Sequence, residues 1–341
     1  MFMDIGIDLG TANIIMTTNK KGVVINEPSV IAYNKRTERV VAVGTEAYRM
    51  EGRAPEHIAV VHPLQDGVVS DDILTQALMR ELISVVAAHP VVKPRIVVCI
   101  PSLITEVERR AILDAATGTG FRKVHLIREP LAALLGAGIP INRPVGHMVV
   151  DIGGGTTDVA VVSMNGIVTA RSIKIAGNHL DQSIIRYVQN KYQLLLGKKS
   201  AEELKIALCN LYDPSDDVLH TVKGRHVTRG LPDQCDLSEI ELFEAIEDDI
   251  AAITEMIRRV LEETPPELVG DIYQNGILLT GGGACLGGLE QYFRRTLGVR
   301  CRIAKDPLTC VARGTAKAFR HRDMLLDGFE RIESYEAMHE V

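Results

Sequence analysis

Two aspartates, Asp8 and Asp151, each stand at the end of an apolar run and are each followed two positions later by glycine. From Met148 to Val162 the chain reads MVVDIGGGTTDVAVV. Glycines at Gly153, Gly154 and Gly155 let backbone N–H groups approach an anion with no Cβ in the way. A carboxylate beside them repels phosphate unless a cation lies between, so Asp151 implies a divalent metal. Oxygen-only ligation next to phosphates favours Mg²⁺, which keeps much of its water. The chemistry on offer is phosphate binding through backbone dipoles and a metal.

The apolar run before Asp151 and the alternation Val159 to Val162 after it predict a strand, a tight glycine turn and a return strand. The chain repeats the device near its start. Ile5 to Met16 reads IGIDLGTANIIM, with Asp8 at the end of the first strand and Gly10-Thr11-Ala12-Asn13 in the turn. A third glycine turn, in LLTGGG from Leu278 to Gly283, again follows an apolar strand. None of the three is a Walker loop, since no Gly-Lys-Ser/Thr follows, and no GxGxxG fingerprint ends the first strand. Ordinary hairpins with glycine tips are the plainer reading of any one of them. Two aspartate-tipped hairpins facing each other across a cleft, with a late glycine turn, resemble the actin, Hsp70 and sugar-kinase superfamily. The fold class expected is therefore α/β, with two duplicated ribonuclease-H-like domains, a small insertion in each, and a nucleotide cleft between.

The elements that must position these turns can be followed along the chain. At 341 residues, 46% of them hydrophobic, there is material for two core-forming domains. A net charge of −6 gives no basic surface for nucleic acid. The six cysteines are scattered without a CxxC pair and read as buried free thiols in a reducing compartment. No signal peptide or stretch of transmembrane length is legible, so a cytoplasmic protein, at most peripheral to a membrane, is expected.

A small insertion spans the region around residue 40, and Asp71 or Asp72 can cap a helix from Ile73 to Ala88. Ile96 to Ile100 reads as a buried strand, Thr105 to Glu108 as a capping box, and Val124 to Ile127 as a strand delivering Arg128-Glu129-Pro130 to a helix from Leu131 to Leu135. In the second half a strand from Ile167 to Ile175 and a helix from Asp181 to Leu196 are expected. Ser200 to Glu203 and Ser238 to Glu241 read as further capping boxes. Tyr212 to Leu237 reads as a second insertion, polar and partly strand-like. A helix from Ile240 to Glu262 should end at Pro265-Pro266, and Ala312 to Tyr335 should form a charged amphipathic helix. The division expected is 1–30, 72–138 and 313–341 for one large subdomain with 31–71 as its insertion, and 139–178 and 242–312 for the other with 179–241.

With these motifs in place the sequence resembles the bacterial actins of the MreB/Mbl type, the rod-shape-determining proteins, almost end to end. The matching blocks are DIGIDLGTAN (Asp4 to Asn13), NEPSV (Asn26 to Val30), VERRAI (Val107 to Ile112), REPLAALLGAG (Arg128 to Gly138), MVVDIGGGTTDVAV (Met148 to Val161), IKIAG (Ile173 to Gly177), TPPEL (Thr264 to Leu268) and GILLTGGGA (Gly276 to Ala284). TTD at Thr156 to Asp158 and SIKIAG at Ser172 to Gly177 lean toward the Mbl-like branch.

The resemblance implies an ATP-dependent polymer with Mg²⁺: antiparallel double filaments on the inner face of the cytoplasmic membrane, guiding membrane proteins of wall elongation. It assigns Asp8 and Asp151 to the metal. Thr11, Ala12, Asn13, Gly154, Gly155 and Thr156 would take the phosphates, and Glu129 with Thr156 would align the attacking water. The run Glu202, Glu203, Leu204 and Lys205 falls at the nucleoside-contact positions, although Glu202 and Lys205 alone would be a solvated i,i+3 pair. Gly281, Gly282, Gly283 and Ala284 would pack against adenine or the α-phosphate. Glu129 on its own could simply be a helix N-terminal carboxylate.

In the family a short hydrophobic loop in the first half enters the bilayer, and Val91-Val92 falls at that position. Two valines bury little apolar area, so attachment would rely on many subunits along a filament. No added anchor helix is expected at the N-terminus, as in relatives that rely on the loop alone. Two departures stand out: Arg128 where an acid is common, and Asn178 where an aspartate is usual. The alternatives are a small-molecule kinase, for which no insertion offers a substrate pocket, and an Hsp70-like ATPase, for which the chain carries no substrate-binding domain.

Overall fold

The computed structural model describes residues 4–86, 95–118, 123–321, 325 and 329–332. The two aspartate-tipped segments are β-hairpins. Asp4–Leu9 pairs antiparallel with Asn13–Thr18, and His147–Ile152 pairs antiparallel with Thr157–Ser163. Their registers correspond: Asp8 faces Ile15 and Asp151 faces Asp158, one position before the strand end in each. Alternating side chains place every second residue of each strand against a core. Ile5, Ile7, Ile14 and Met16 are fully enclosed in one half, and Val150, Ile152, Val159 and Val161 in the other.

Each hairpin is extended into a mixed sheet on the same plan. In the first half Gly22–Pro28 continues the antiparallel side, while Arg95–Ile100 and Lys123–Arg128 add in parallel on the other side. In the second half Gly166–Ile173 continues the antiparallel side, and Ile277–Thr280 and Cys301–Ile303 add in parallel. The central positions of these parallel strands, such as Ile96, Val97, Val98, Leu126, Ile127 and Leu278, are apolar and enclosed. A smaller three-stranded sheet, Ile31–Asn34 with Arg39–Val43 and Ile58–Val61, stands on the first half beside the helix Gly44–Met50. Its counterpart on the second half pairs Leu219–His226 with Pro232–Ser238 and Leu194–Leu195.

The halves meet through two helices, Glu129–Ala137 and Cys310–His321. A shared core joins Val97, Cys99 and Ile127 of the first sheet to Val149, Val162 and Leu278 of the second. The helices touch backbone to backbone. A Cβ added at Gly136 would lie 1.8 Å from the Cys310 carbonyl oxygen, and one at Gly314 would lie 1.7 Å from that of Ala132. Both positions need glycine for close approach rather than for an unusual dihedral.

Local signals held where capping chemistry decides an end. Thr105 and Ser238 both make the reciprocal capping box, and the Asp71 carboxylate accepts from Leu74 N–H. Elsewhere tertiary pairing overrode the pattern. The expected helix from Asp181 to Leu196 runs from Gly177 to Tyr192. Gln193 turns left-handed at φ +53°, freeing Leu194–Leu195 to pair as a strand with Arg225 and His226. Ser200 to Glu203 is not a capping box, because the helix Lys198–Leu208 already begins behind Gly197 and leaves Ser200 inside its first turn. Within the segment expected as one helix to Tyr335, the described residues are helical over Cys310–His321. Phe329–Ile332 instead forms an edge strand paired antiparallel with Val124–Ile127. The helix after Arg128 starts at Glu129 itself, and Pro266–Asn275 and Leu289–Leu297 are helices that the pattern did not isolate. Val91-Val92 lies outside the described residues.

Candidate active site

The two hairpin turns lie against each other across a cleft of about 430 Å³. Contact is close enough that side chains are excluded. A Cβ at Gly154 would sit 2.6 Å from Ala12 Cβ, and one at Gly155 would sit 2.5 Å from Thr11 Oγ1 and 2.8 Å from Asp66 Cα. Thr11 Oγ1 also accepts from Gly67 N–H at 2.9 Å, which ties the first turn to the segment entering from the small sheet. Asn178 N–H donates to the Gly154 carbonyl and Gly177 N–H to that of Gly153, so the second turn is braced from behind. Asn178, the departure from the family pattern, therefore still meets the glycine turn through its backbone.

Asp8, Thr11, Ala12, Asn13, Glu129, Asp151, Gly154, Gly155, Thr156, Glu202, Lys205, Gly281, Gly282 and Gly283 all line this cavity. Glu203, Leu204 and Ala284 do not. Successive helical residues point about 100° apart, so Glu203 faces solvent and Leu204 enters the core of the second half. Ala284 belongs to the short helical turn Gly282–Cys285 and is fully enclosed. Of the lining pair, Lys205 has its Nζ held at 2.7 Å from Asp181 Oδ1 and donates to the Gly177 carbonyl at 2.9 Å. It is a buried cation already paired, supporting the backbone behind the second turn. Glu202 accepts from the Tyr48 hydroxyl at 2.9 Å, a bond from the small insertion of the first half to that of the second, across the cleft.

The cleft floor is strongly acidic. Burial, with the nearby Asp151 charge adding, pushes the Asp8 carboxyl up to about 7. Burial, with Asp158 adding, does the same to Asp151, also to about 7. Burial and then the charges of Asp158, Asp151 and Asp8 hold Glu129 well above the carboxylate range. Asp151 Oδ1 is enclosed and has no hydrogen-bond partner among the described residues. Negative charge left uncompensated in a buried site is costly, and a divalent cation between Asp8 and Asp151 would relieve it. Among the described residues no three acidic, histidine or cysteine side chains converge on one point. Two carboxylates are what a Mg²⁺ ion sharing its shell with phosphates and water requires. The residues present fit it.

Asp158 was not singled out as a site residue from the sequence, where it serves only as part of a subgroup signature. It is fully buried, on the same face as its cross-strand partner Asp151. Arg128, the other departure, donates from Nη1 to the Ser102 carbonyl at 2.6 Å.

Comparison with known proteins follows the same line. Residues 2–327 match the family described as MreB/Mbl protein. The chain belongs to the MreB/Mbl family. The cell shape-determining protein Mbl of Bacillus subtilis is 44% identical over 94% of this chain and 97% of its own. The cell shape-determining protein MreB of Escherichia coli is 43% identical over 94% of each. The two branches thus lie at nearly equal distance. Among solved structures, MreB5 of Spiroplasma citri bound to ADP superposes with a TM-score of 0.90 at 38% identity, covering 94% of this chain and 97% of that one. The same protein is also known bound to AMPPNP. The double helical filament of MamK superposes at 0.80 with 23% identity over 93% and 98% of the chains, a likeness of fold. The fold of this MreB/Mbl member is the actin-like ATPase fold.

Proposed function

We propose that this chain is an ATP-hydrolysing subunit of an actin-like filament. The observation that carries the reading is the pair of aspartate-tipped turns closing on one 430 Å³ cavity, in a family with a member solved on both ADP and AMPPNP. The backbone N–H groups of Thr11, Ala12 and Asn13 take the phosphates from one side and those of Gly154, Gly155 and Thr156 from the other. Asp8 and Asp151 are the residues that would hold Mg²⁺. When bound, the ion neutralises charge on the transferred phosphoryl group. Glu129 and Thr156 orient the attacking water toward the γ-phosphate. Gly281, Gly282 and Gly283 leave room for the nucleoside end, with Glu202 at its edge.

Filaments are the second part of the proposal. They are antiparallel double filaments on the inner face of the cytoplasmic membrane that organise wall-synthesis proteins and so maintain cell shape. Support comes from the relatives' own description as cell shape-determining proteins and from the MamK filament on the same fold. No helix among the described residues is long and apolar enough to cross a membrane. Attachment is assigned, on the family resemblance, to the segment carrying Val91 and Val92.

Electron microscopy of purified protein with Mg-ATP on anionic lipid tests both parts. Paired filaments lying on the lipid are expected. Persistent monomers that hydrolyse ATP only when a small-molecule acceptor is present would replace the filament reading with that of a kinase.

A further inference from the structure

The duplicated hairpins give an internal control for the role of Asp158. At matching registers the first hairpin carries Ile15 opposite Asp8, and the second carries Asp158 opposite Asp151. Ile15 is buried and apolar, as the pattern of a central strand requires. Asp158 is fully buried and acidic. The strand therefore accepts an apolar residue here, and the acid needs a reason beyond folding, because burying a carboxylate is expensive unless donors surround it.

The donors are present and come from both halves of the molecule. Ser102 N–H, just past the parallel strand of the first half, donates to Asp158 Oδ1 at 2.8 Å. The Ser172 hydroxyl, its cross-strand neighbour, donates to Oδ2 at 3.3 Å. The Thr156 hydroxyl also hydrogen-bonds the carboxylate. The Glu129 carboxyl lies beside it, where burial and then the Asp158 charge help to hold the Glu129 proton. Ser102 is itself fixed by Arg128, the residue before Glu129, which donates to its carbonyl. Arg128, Ser102, Asp158 and Glu129 thus form a closed circuit.

We propose that Asp158 is a positioning residue for ATP hydrolysis, holding Glu129 and Thr156 together so that both face the attacking water. This rests on the hydrolytic roles proposed above for those two side chains. Glu129 lies against Asp158 and also lines the cavity. Thr156 is fixed at the hydroxyl, which orders a side chain at the tip of an otherwise all-glycine turn. Asp158 does not itself line the cavity, so its effect on the reaction passes through its neighbours.

A double-mutant cycle tests this, using single-turnover hydrolysis and equilibrium ATP affinity on the full chain for Glu129→Ala, Asp158→Ala and the double variant. A misplaced catalytic group costs on the order of 10²-fold. Asp158→Ala should therefore slow hydrolysis by about 10- to 100-fold while ATP affinity changes by less than about threefold. In the Glu129→Ala background the same change should cost less than it does in wild type, the remainder reporting the hold on Thr156. Asp158→Asn should recover most of the rate, because its amide accepts from Ser102 N–H and can donate to Glu129.

If the alanine variant does not fold, Asp158→Val, apolar like Ile15 in the sister hairpin, is read in the same way. Wild-type turnover in Asp158→Ala alongside an inactive Glu129→Ala would overturn the positioning role alone. Multiplying losses in the double variant would do so too, by showing independent actions. Wild-type turnover in Glu129→Ala would overturn the underlying hydrolytic reading instead.

Discussion

The hydroxyl of Tyr48 is the lever on which opening of the cleft can be measured. Tyr48 sits on the short helix of the first half's insertion, and its hydroxyl donates to Glu202 Oε2 at 2.9 Å on the facing helix of the second half. Burial and the Glu202 charge hold that hydroxyl's proton more tightly than usual. Lys199 Nζ lies 5.6 Å above the ring, an additional contact that phenylalanine would keep. Tyr48→Phe thus deletes one charge-assisted hydrogen bond made only when the insertions meet. Such bonds contribute about 1.5–3 kcal/mol net, and partial exposure brings this one to or below the bottom of that range, about 1–1.5 kcal/mol. At about 1.4 kcal/mol per tenfold, the closed state should lose roughly 5- to 10-fold in population relative to the open one. Release of bound nucleotide, if gated by opening, should accelerate by the same factor. Stopped-flow displacement of a fluorescent ATP analogue in excess Mg²⁺ reads this directly. A release rate within about twofold of wild type, in a protein of unchanged melting temperature, would show that the Tyr48–Glu202 contact does not hold the cleft.

The acidic floor makes the ligand-free protein sensitive to pH in a defined direction. Asp8 and Asp151 titrate near 3.8 when unfolded and near 7 when folded, so the native state binds more protons between those values. Stability falls as pH rises from about 4 to about 7 and levels off above. Asp151→Asn should therefore raise the melting temperature of ligand-free protein more at pH 8 than at pH 5, and should abolish the extra stabilisation that Mg²⁺ gives with ATP. Equal melting temperatures at both pH values would contradict the charge argument. At the joint between the halves, Gly314→Ala places a methyl 1.7 Å from the Ala132 carbonyl oxygen. Overpacking of this kind costs about 1–3 kcal/mol, and urea unfolding should show a midpoint lowered accordingly. Val91→Asp with Val92→Asp should leave filaments intact in solution and remove them from liposomes in a co-sedimentation assay; retained binding would place the anchor elsewhere.

The aspartate-tipped turns were legible because their chemistry is local. A glycine run between two apolar alternations can do little else, and capping boxes at Thr105 and Ser238 are decided within four residues. The strand Phe329–Ile332 was not legible, because an amphipathic stretch of that length satisfies helix and strand periodicities alike. What decides it is the open edge of Val124–Ile127, where backbone donors and acceptors wait for a partner. Leu194–Leu195 left its expected helix for the same reason.

The repeated Asp-x-Gly turns and the family blocks by themselves determined an actin-like fold with two glycine turns closing on one cleft, since those signals depend on residues close in the chain. Only the tertiary structure decided how the lining residues are used. Lys205, a nucleoside candidate in the sequence, is taken by Asp181 and the Gly177 carbonyl. Glu202 reaches Tyr48, 154 residues away. Asp158, one more polar residue after a glycine turn, meets Ser102 from the other half and Glu129 from the joint between them. Each outcome is a competition among partners distant in sequence for one buried charge. Which of them wins is set by the packing of two sheets around a shared pair of helices.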